Sequence, residues 1–392
     1  MKAVYIPVGA TGHVLSSLPM VSALCARGVS VLYFAPERYR AAVEGTGASF
    51  CPMPAIAAGG SSVAAGDDFL ANLPMVFLGE AKGVIGTVMP ACEAFAPDFV
   101  IADEMALAGR LVAAKLALPL VMTFTSYAPC EKFSICRFWP TYPDTHPARL
   151  AAAALAREFT RDYGVKHLDL YEIFEGLGDY NVSTLTREFQ PEGDSFGENF
   201  FFAGAQIAAR ADACAFTPPA DGKPLIYTSL GSLFTNWPGF YEVLFPVVRR
   251  MDVHVVCALG RQLRPEDLGD IPPNVTLMPF APQLDILPHA SCFITHAGTG
   301  SAMESLYFGV PTICVPQMEE QQLTAGRLMN AGSASAVILR HNFTEQALGE
   351  ALERALHDEA LLRRTREASE RTRAVSGGDR AAEAILEFVT RR

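Results

Sequence analysis

One pattern constrains this chain more than any other, and it occurs in both halves: a short apolar run, a turn of small residues, helical spacing, then another apolar run. Residues 2–8 form the first run, the turn Gly9-Ala10-Thr11-Gly12-His13 ends it, and Val14, Leu18, Val21 and Cys25 recur at helical intervals up to Arg27 and Gly28. Residues 29–34 read as the next strand. A strand, a crossover helix and a second strand open a doubly wound parallel sheet, which makes the chain an α/β protein. Residues 97–103 add a strand that ends in an acid, and a helix-like stretch over 106–116 leads to a strand at 119–123.

The alternation restarts beyond residue 223. Strands are expected at 224–230, 253–258, 275–278, 291–295 and 312–315, with helices around 240–250 and from 300 to 308. Residues 211–223 carry Pro218-Pro219 and Asp221-Gly222 without periodicity and read as a linker. The expected organisation is therefore a first domain over 1–210, the linker at 211–223, a second domain over 224–375 and a closing helix over 376–392. In that helix Asp379 is the expected N-cap, and Ile385, Leu386, Phe388 and Val389 form the apolar face. At 392 residues the chain has length for two domains of about 150 residues or more. Two β/α halves without a sequence repeat imply a cleft between them.

Composition narrows the function. Half the residues are hydrophobic and 19% are charged, which excludes wholesale disorder. With 31 basic and 42 acidic residues the net charge is −11, so nucleic acid and anionic membrane are not expected partners. The nine cysteines are scattered, with no CxxC and no zinc spacing, which points to a reducing, cytoplasmic setting. The N-terminus shows no basic leader or cleavage site, and no run approaches the ~18 apolar residues of a membrane span. The acidic balance also reads against an anionic ligand.

Local sequence argues the other way. After the strand at 291–295, His296-Ala297-Gly298-Thr299-Gly300-Ser301 passes directly into a helix that carries Glu304. Such a turn aims free backbone N–H groups and the positive end of a helix dipole at one point, where a phosphate can sit. Gly298 and Gly300 permit close approach, Thr299 and Ser301 supply hydroxyls, His296 supplies a ring N–H, and Glu304 is placed to accept from ribose hydroxyls. Similar turns also merely close a βα corner. Two irregular stretches, roughly 51–80 and 124–147, hold Phe69, Leu70, Met75, Phe77, Phe133, Phe138, Trp139 and Tyr142. They either cover core or line an apolar ligand pocket.

Taken together, Phe280-Ala281-Pro282-Gln283, the turn from His296 to Ser301 with Glu304, and Pro316-Gln317 leading to Glu320-Gln321 resemble the nucleotide-sugar signature of family 1 glycosyltransferases, in the bacterial macrolide and natural-product branch. The resemblance implies the GT-B fold, two facing Rossmann-like domains with a cleft between them. It implies that Phe280 stacks on uracil or thymine and that Gln283 and Glu304 contact the nucleoside. His296, Gly298, Thr299, Gly300 and Ser301, with Ser229, Gly231 and Ser232 of an earlier turn, would hold the diphosphate, and Glu320 and Gln321 the donor sugar. Phe280 stands where Trp is usual and Glu320 where Asp is usual.

In the first half, the resemblance makes His13 the general base and Asp103 the acid that orients it. A sugar-acceptor hydroxyl needs such a base, and imidazole has a suitable pKa. Acceptor specificity would reside in the apolar stretches, with Phe69, Met75, Phe77, Phe133, Phe138 and Trp139 as candidates. The implied activity is inverting, metal-independent transfer of a sugar from a UDP- or dTDP-sugar to a hydroxyl of a small hydrophobic acceptor. No separate cofactor is implied, and a homodimer is left open.

Three alternatives compete with that reading. One is a sugar-nucleotide epimerase of the same fold, and another a non-catalytic GT-B activator. The third, an NAD(P)-dependent reductase, would want a third glycine in the first turn, where position 15 is Leu. No Asp-x-Asp, GxSxG, HExxH or P-loop pattern occurs.

Overall fold

The computed structural model describes residues 1–54, 69–138, 142, 143, 145–165, 168, 172–207, 216–231 and 235–392. The chain divides into two units, Met1–Ala211 with Ser376–Arg392 and Asp212–Val375.

The first unit is built on a seven-stranded parallel sheet: β1 (Lys2–Ile6), β2 (Ser30–Ala35), β3 (Ser49–Pro52), β4 (Phe99–Asp103), β5 (Leu120–Phe124), β6 (Tyr180–Ser183) and β7 (Phe200–Phe202), in the order β3-β2-β1-β4-β5-β6-β7. The chain starts in the middle, winds outward to β3, then returns to add β4 on the other side of β1. Tyr5 accordingly lies opposite both Tyr33 and Ile101. Among the described residues, the helices before the second unit are α1 (Thr11–Ala26), α2 (Arg40–Glu44), α3 (Phe69–Phe95), α4 (Leu107–Leu116), α5 (Pro147–Tyr163) and α6 (Glu172–Glu175).

Period-two alternation along the strands makes two cores. Val4, Ile6 and Val100 face Leu78, Val84 and Leu111, whereas Ala3, Tyr5, Tyr33 and Ile101 face Val14, Val21, Leu24 and Ile385. Of the stretch expected to be irregular over 51–80, residues 55–68 lie outside the described residues, and 69–80 are corrected by α3, whose 27 residues run unbroken through Pro74 and Pro90. Those prolines and Gly79, Gly83 and Gly86 argue for a loop by propensity. Packing of α3 against α4 and α5 overrides them. By length and composition Ala71–Phe95 also passes for a membrane span, with 33% of its most apolar window buried. Glu80 and Lys82 interrupt its apolar run, so a count of consecutive apolar residues misses it.

The second unit repeats the logic with six parallel strands, β8 (Leu225–Ser229), β9 (His254–Ala258), β10 (Val275–Met278), β11 (Cys292–Thr295), β12 (Thr312–Cys314) and β13 (Ala334–Val337), in the order β10-β9-β8-β11-β12-β13. Its helices are α7 (Pro238–Arg249), α8 (Gln283–Ile286), α9 (Thr299–Phe308), α10 (Glu319–Asn330), α11 (Glu345–His357) and α12 (Glu359–Ala374). Ile226, Val255 and Ile294 pack toward Phe240, Leu244 and Leu352, and Tyr227, Val256 and Phe293 toward Ile286 and Leu287. Of the stretch read as a linker, residues 211–215 lie outside the described residues, and Phe216 already packs on this second core.

The chain ends in α13 (Gly378–Thr390), which packs on α1. Asp379 is not the N-cap: the helix begins one residue earlier, Gly377 occupies the cap, and Asp379 lies in the first turn, where it accepts from Arg27 Nη1 at 2.6 Å. Ala381, Ala382 and Ile385 are buried against α1, and Phe388 stacks on Tyr180 with centroids 4.9 Å apart. Eight cysteines among the described residues are free thiols.

Because Ile385 is fully buried in the core that α13 shares with α1, Ile385→Ala is expected to cost about 2–4 kcal/mol, the range for large-to-small core changes. Thermal unfolding should show a lower midpoint, with increased proteolysis of the C-terminal helix. An unchanged midpoint would mean that α13 adds nothing to the first unit.

Candidate active site

In a doubly wound sheet the loops after two neighbouring strands diverge wherever the strand order reverses, which leaves a crevice at the carboxyl ends. In the first unit that point lies between β1 and β4. The loop after β1 enters α1, whose first turn carries His13, and β4 ends at Asp103. The two side chains, 90 residues apart in sequence, meet there: His13 Nδ1 lies 2.6 Å from Asp103 Oδ2. Asp103 is fully buried, and its other oxygen accepts from the Met105 backbone N–H at 3.0 Å, so the carboxylate cannot turn away. A proton held on Nδ1 by the carboxylate leaves the lone pair on Nε2, the arrangement needed in a general base.

Three further groups bear on this pair, Thr125 and Glu104 by contact and Glu80 through its field, none of them found by sequence reasoning. Thr125 Oγ1 lies 3.2 Å from His13 Nδ1. Glu104, also buried, accepts from the Thr125 N–H at 3.1 Å, the Thr125 hydroxyl at 3.0 Å and the Ser126 N–H at 3.2 Å, pinning the loop after β5 beside the histidine. Burial, reinforced by the charge of Asp103, pushes the Glu104 carboxyl up to about 8. Glu80 of α3 is also raised to about 8, first by burial and then by Asp103, with His13 opposing. Asp103 followed by a second acid was the visible signal for Glu104, whereas nothing in the local sequence marks Glu80.

His13, Asp103 and Glu104 are the one group among the described residues that could hold a metal ion, with ligand atoms within 4.8 Å of one another. Two ligands on one ion at bonds of about 2.1 Å sit roughly 3 Å apart or more. The 2.6 Å separation of His13 and Asp103 is instead that of a charge-assisted hydrogen bond, and the Glu104 oxygens are engaged by Thr125 and Ser126.

The corresponding reversal in the second unit lies between β8 and β11. The turns after these strands bring together Ser229, Gly231, His296 and Gly298. A Cβ on Gly231 would fall 2.7 Å, and one on Gly298 2.6 Å, from His296 Nε2, so glycine at both positions is what lets the ring sit between the turns. Gly231 has φ +88°, and Ser229 Oγ accepts its N–H at 3.3 Å. Gly298 is the N-cap of α9 and offers no side chain, so the first-turn N–H groups, at Thr299, Gly300 and Ser301, lack a side-chain cap. His296 Nδ1 is buried without a hydrogen-bond partner among the described residues, and burial lowers the imidazole pKa to about 4. A neutral ring, backbone N–H groups and hydroxyls thus converge on one place.

Beside this turn, Gln283 donates through Nε2 to Ser301 Oγ at 3.3 Å and to the Glu304 carboxylate, while its Oε1 accepts from Tyr227 Oη at 3.2 Å. Phe280 is 65% exposed, an unusual state for a large apolar ring, and the Arg261 guanidinium lies 5.5 Å from its centroid. Sequence reading placed no cation here. Glu320 lies in the first turn of α10; Gln321 is buried, and its Oε1 accepts the Gln317 N–H at 2.8 Å, closing the turn before that helix.

Ser232 and Trp139 lie outside the described residues, as do the side chains of Phe69 and Phe138. Met75 and Phe77 lie on α3 rather than on a loop and pack against the core, Phe77 edge-on to Phe174 at 5.2 Å. Phe133 is buried against Tyr127 at 5.9 Å. For these three the structure shows core packing.

Comparison with known proteins adds the following. A family model described as the C-terminal domain of erythromycin biosynthesis protein CIII-like proteins matches residues 242–382. The chain is 29% identical to the NDP-glycosyltransferase YjiC of Bacillus licheniformis over 97% of this chain and 96% of that protein. It is 28% identical to the oleandomycin glycosyltransferase of Streptomyces antibioticus, over 97% and 89% of the two chains. Among solved structures, the calicheamicin glycosyltransferase CalG4 superposes with a TM-score of 0.84 at 26% identity, covering 100% of this chain and 98% of that one. Residues 242–382 thus form an EryCIII-like C-terminal domain, and along nearly its whole length the chain is related to the macrolide and natural-product glycosyltransferases.

The burial of His296 has a consequence for stability. With a folded pKa near 4 against 6.5 in the unfolded chain, the native state binds fewer protons between those values. Its contribution is therefore complete above pH 6.5 and lost as the pH falls toward 4. His296→Gln is expected to flatten the acid limb of midpoint against pH relative to the unsubstituted chain. Parallel limbs in the two proteins would contradict the burial of a neutral imidazole.

Proposed function

We propose that this NDP-sugar glycosyltransferase acts by a single inverting displacement on a hydroxyl of a hydrophobic natural-product acceptor, with UDP or dTDP as the leaving group and no metal. The observation that carries the reading is the 2.6 Å hydrogen bond between His13 and the fully buried Asp103 at the strand-order reversal of the first unit. In the reaction, His13 Nε2 takes the acceptor proton, the acceptor oxygen forms its bond to the anomeric carbon, and the bond from that carbon to the diphosphate oxygen breaks. Asp103 holds the ring and balances the imidazolium as it forms.

The leaving diphosphate is received by neutral donors. The uncapped start of α9, the hydroxyls of Thr299 and Ser301, and His296 supply hydrogen bonds where negative charge develops. Phe280 supplies a stacking face for the pyrimidine, with Arg261 beside it, and Gln283 and Glu304 supply polar contacts to the nucleoside. Glu320 and Gln321 are assigned to the donor sugar. The likeness to an oleandomycin glycosyltransferase supports a macrolide-like or aromatic acceptor, and the free thiols suit a cytoplasmic site of action.

His13→Ala is expected to lower kcat by about 10²-fold or more while UDP or dTDP affinity, read by thermal shift, stays within about two-fold. Near wild-type turnover of a hydroxyl acceptor by this variant would overturn the mechanism.

A further inference from the structure

Glu80 plays no part in the mechanism above, yet Leu78 and Ala81, which flank it on α3, share one core with Val8 and Ala106, which flank the strand-end turns of His13 and Asp103, and its carboxyl feels the charge of both. Its Oε2 is buried and has no hydrogen-bond partner among the described residues, although the residue as a whole is only partly buried. Its neighbours in sequence on α3, Leu78 and Ala81, belong to the core. A carboxyl oxygen left in such surroundings costs free energy, and leucine would fill the position on a helix without that cost. The cost is offset if a bound molecule supplies the missing partner.

We infer that Glu80 is a specificity-determining residue for the acceptor: it hydrogen-bonds a second hydroxyl of a polyhydroxylated substrate whose first hydroxyl is deprotonated by His13. The inference rests on the proposed glycosyl transfer to a hydroxyl acceptor. Burial and the Asp103 charge hold the Glu80 carboxyl up at about 8, so near neutral pH it is mostly protonated and both donates and accepts. A hydroxyl has the same dual character, which makes alcohols and phenols its complement. Glu104 and Asp103, the other two carboxyls at His13, are already committed, Glu104 to Thr125 and Ser126 and Asp103 to His13 and Met105. Glu80 is therefore the carboxyl in this group left to read substrate.

The test is glycosylation of a monohydroxylated naphthalene, α-naphthol, against dihydroxynaphthalenes whose second hydroxyl lies at increasing separations, with UDP-glucose and dTDP-glucose as donors. The unsubstituted enzyme is expected to show a KM lower by about five-fold or more for at least one dihydroxy isomer, because a site built to bind a hydroxyl discriminates against the analogue that lacks it. Glu80→Leu should abolish that preference while leaving the α-naphthol KM and the nucleotide affinity within about two-fold, and Glu80→Gln should retain most of it. Equal KM values for all acceptors in the unsubstituted enzyme, or an equal rise for both classes in Glu80→Leu, would overturn the assignment while leaving glycosyl transfer intact. Absence of transfer to every hydroxyl acceptor, with nucleotide still bound, would overturn the catalytic reading and this one with it.

Discussion

Both proposed sites in this chain hang on one topological constraint: in each unit a parallel sheet starts in its middle, winds to one edge and then restarts on the other side of its first strand. Parallel strands all end on the same side, so the loops after the two central strands meet at the reversal and diverge there. In the first unit this brings a histidine at the start of α1 against an acid at the end of β4. In the second it brings the turn at Gly231 against the turn at His296 and Gly298, so closely that a β-carbon on either glycine would collide with the imidazole. Neither arrangement needs a long or specialised loop. Both follow from strand order and from which residue types stand at the strand ends.

The electrostatics of the two sites are opposite in kind. Around His13, Asp103 and Glu104 share a small volume, and Glu104, like Glu80 on α3, is held protonated by burial and the charge of Asp103 while Asp103 pairs with the ring. The arrangement suits a site that must accept one proton and hold one positive charge. The site proposed for the diphosphate works with almost no formal charge of its own, through backbone N–H groups, hydroxyls and a buried neutral imidazole, with Arg261 beside the exposed ring of Phe280. A net charge of −11 therefore bears on nucleic acid and anionic surfaces, which meet the whole field, and says little about a ligand gripped by local dipoles.

Strand and helix periodicity makes the central strands of both sheets legible, and the small-residue turns mark their carboxyl ends. The members of each cluster are less visible in proportion to how far tertiary contacts decide them. His13 and Asp103 stand at strand ends and can be picked out there. Thr125 and Glu104 matter through contacts across neighbouring strand ends, and Arg261 through a ring 19 residues later in the chain, which no local pattern encodes. The difference at α3 has a definite cause. Two prolines and three glycines oppose helix locally, and the apolar face that stabilises it against α4 and α5 is evident only when those helices are in place. Without that helix, nothing in the sequence places Glu80 beside the dyad.

The account stands or falls on Asp103 acting by fixing the tautomer of His13. The most direct measurement is kcat of Asp103→Asn, which keeps the size of the side chain but can donate to Nδ1 and so favour the wrong tautomer. The account predicts a loss of about 10²-fold or more, with the thermal midpoint and nucleotide affinity little changed. Turnover within about ten-fold of the unsubstituted enzyme would contradict it.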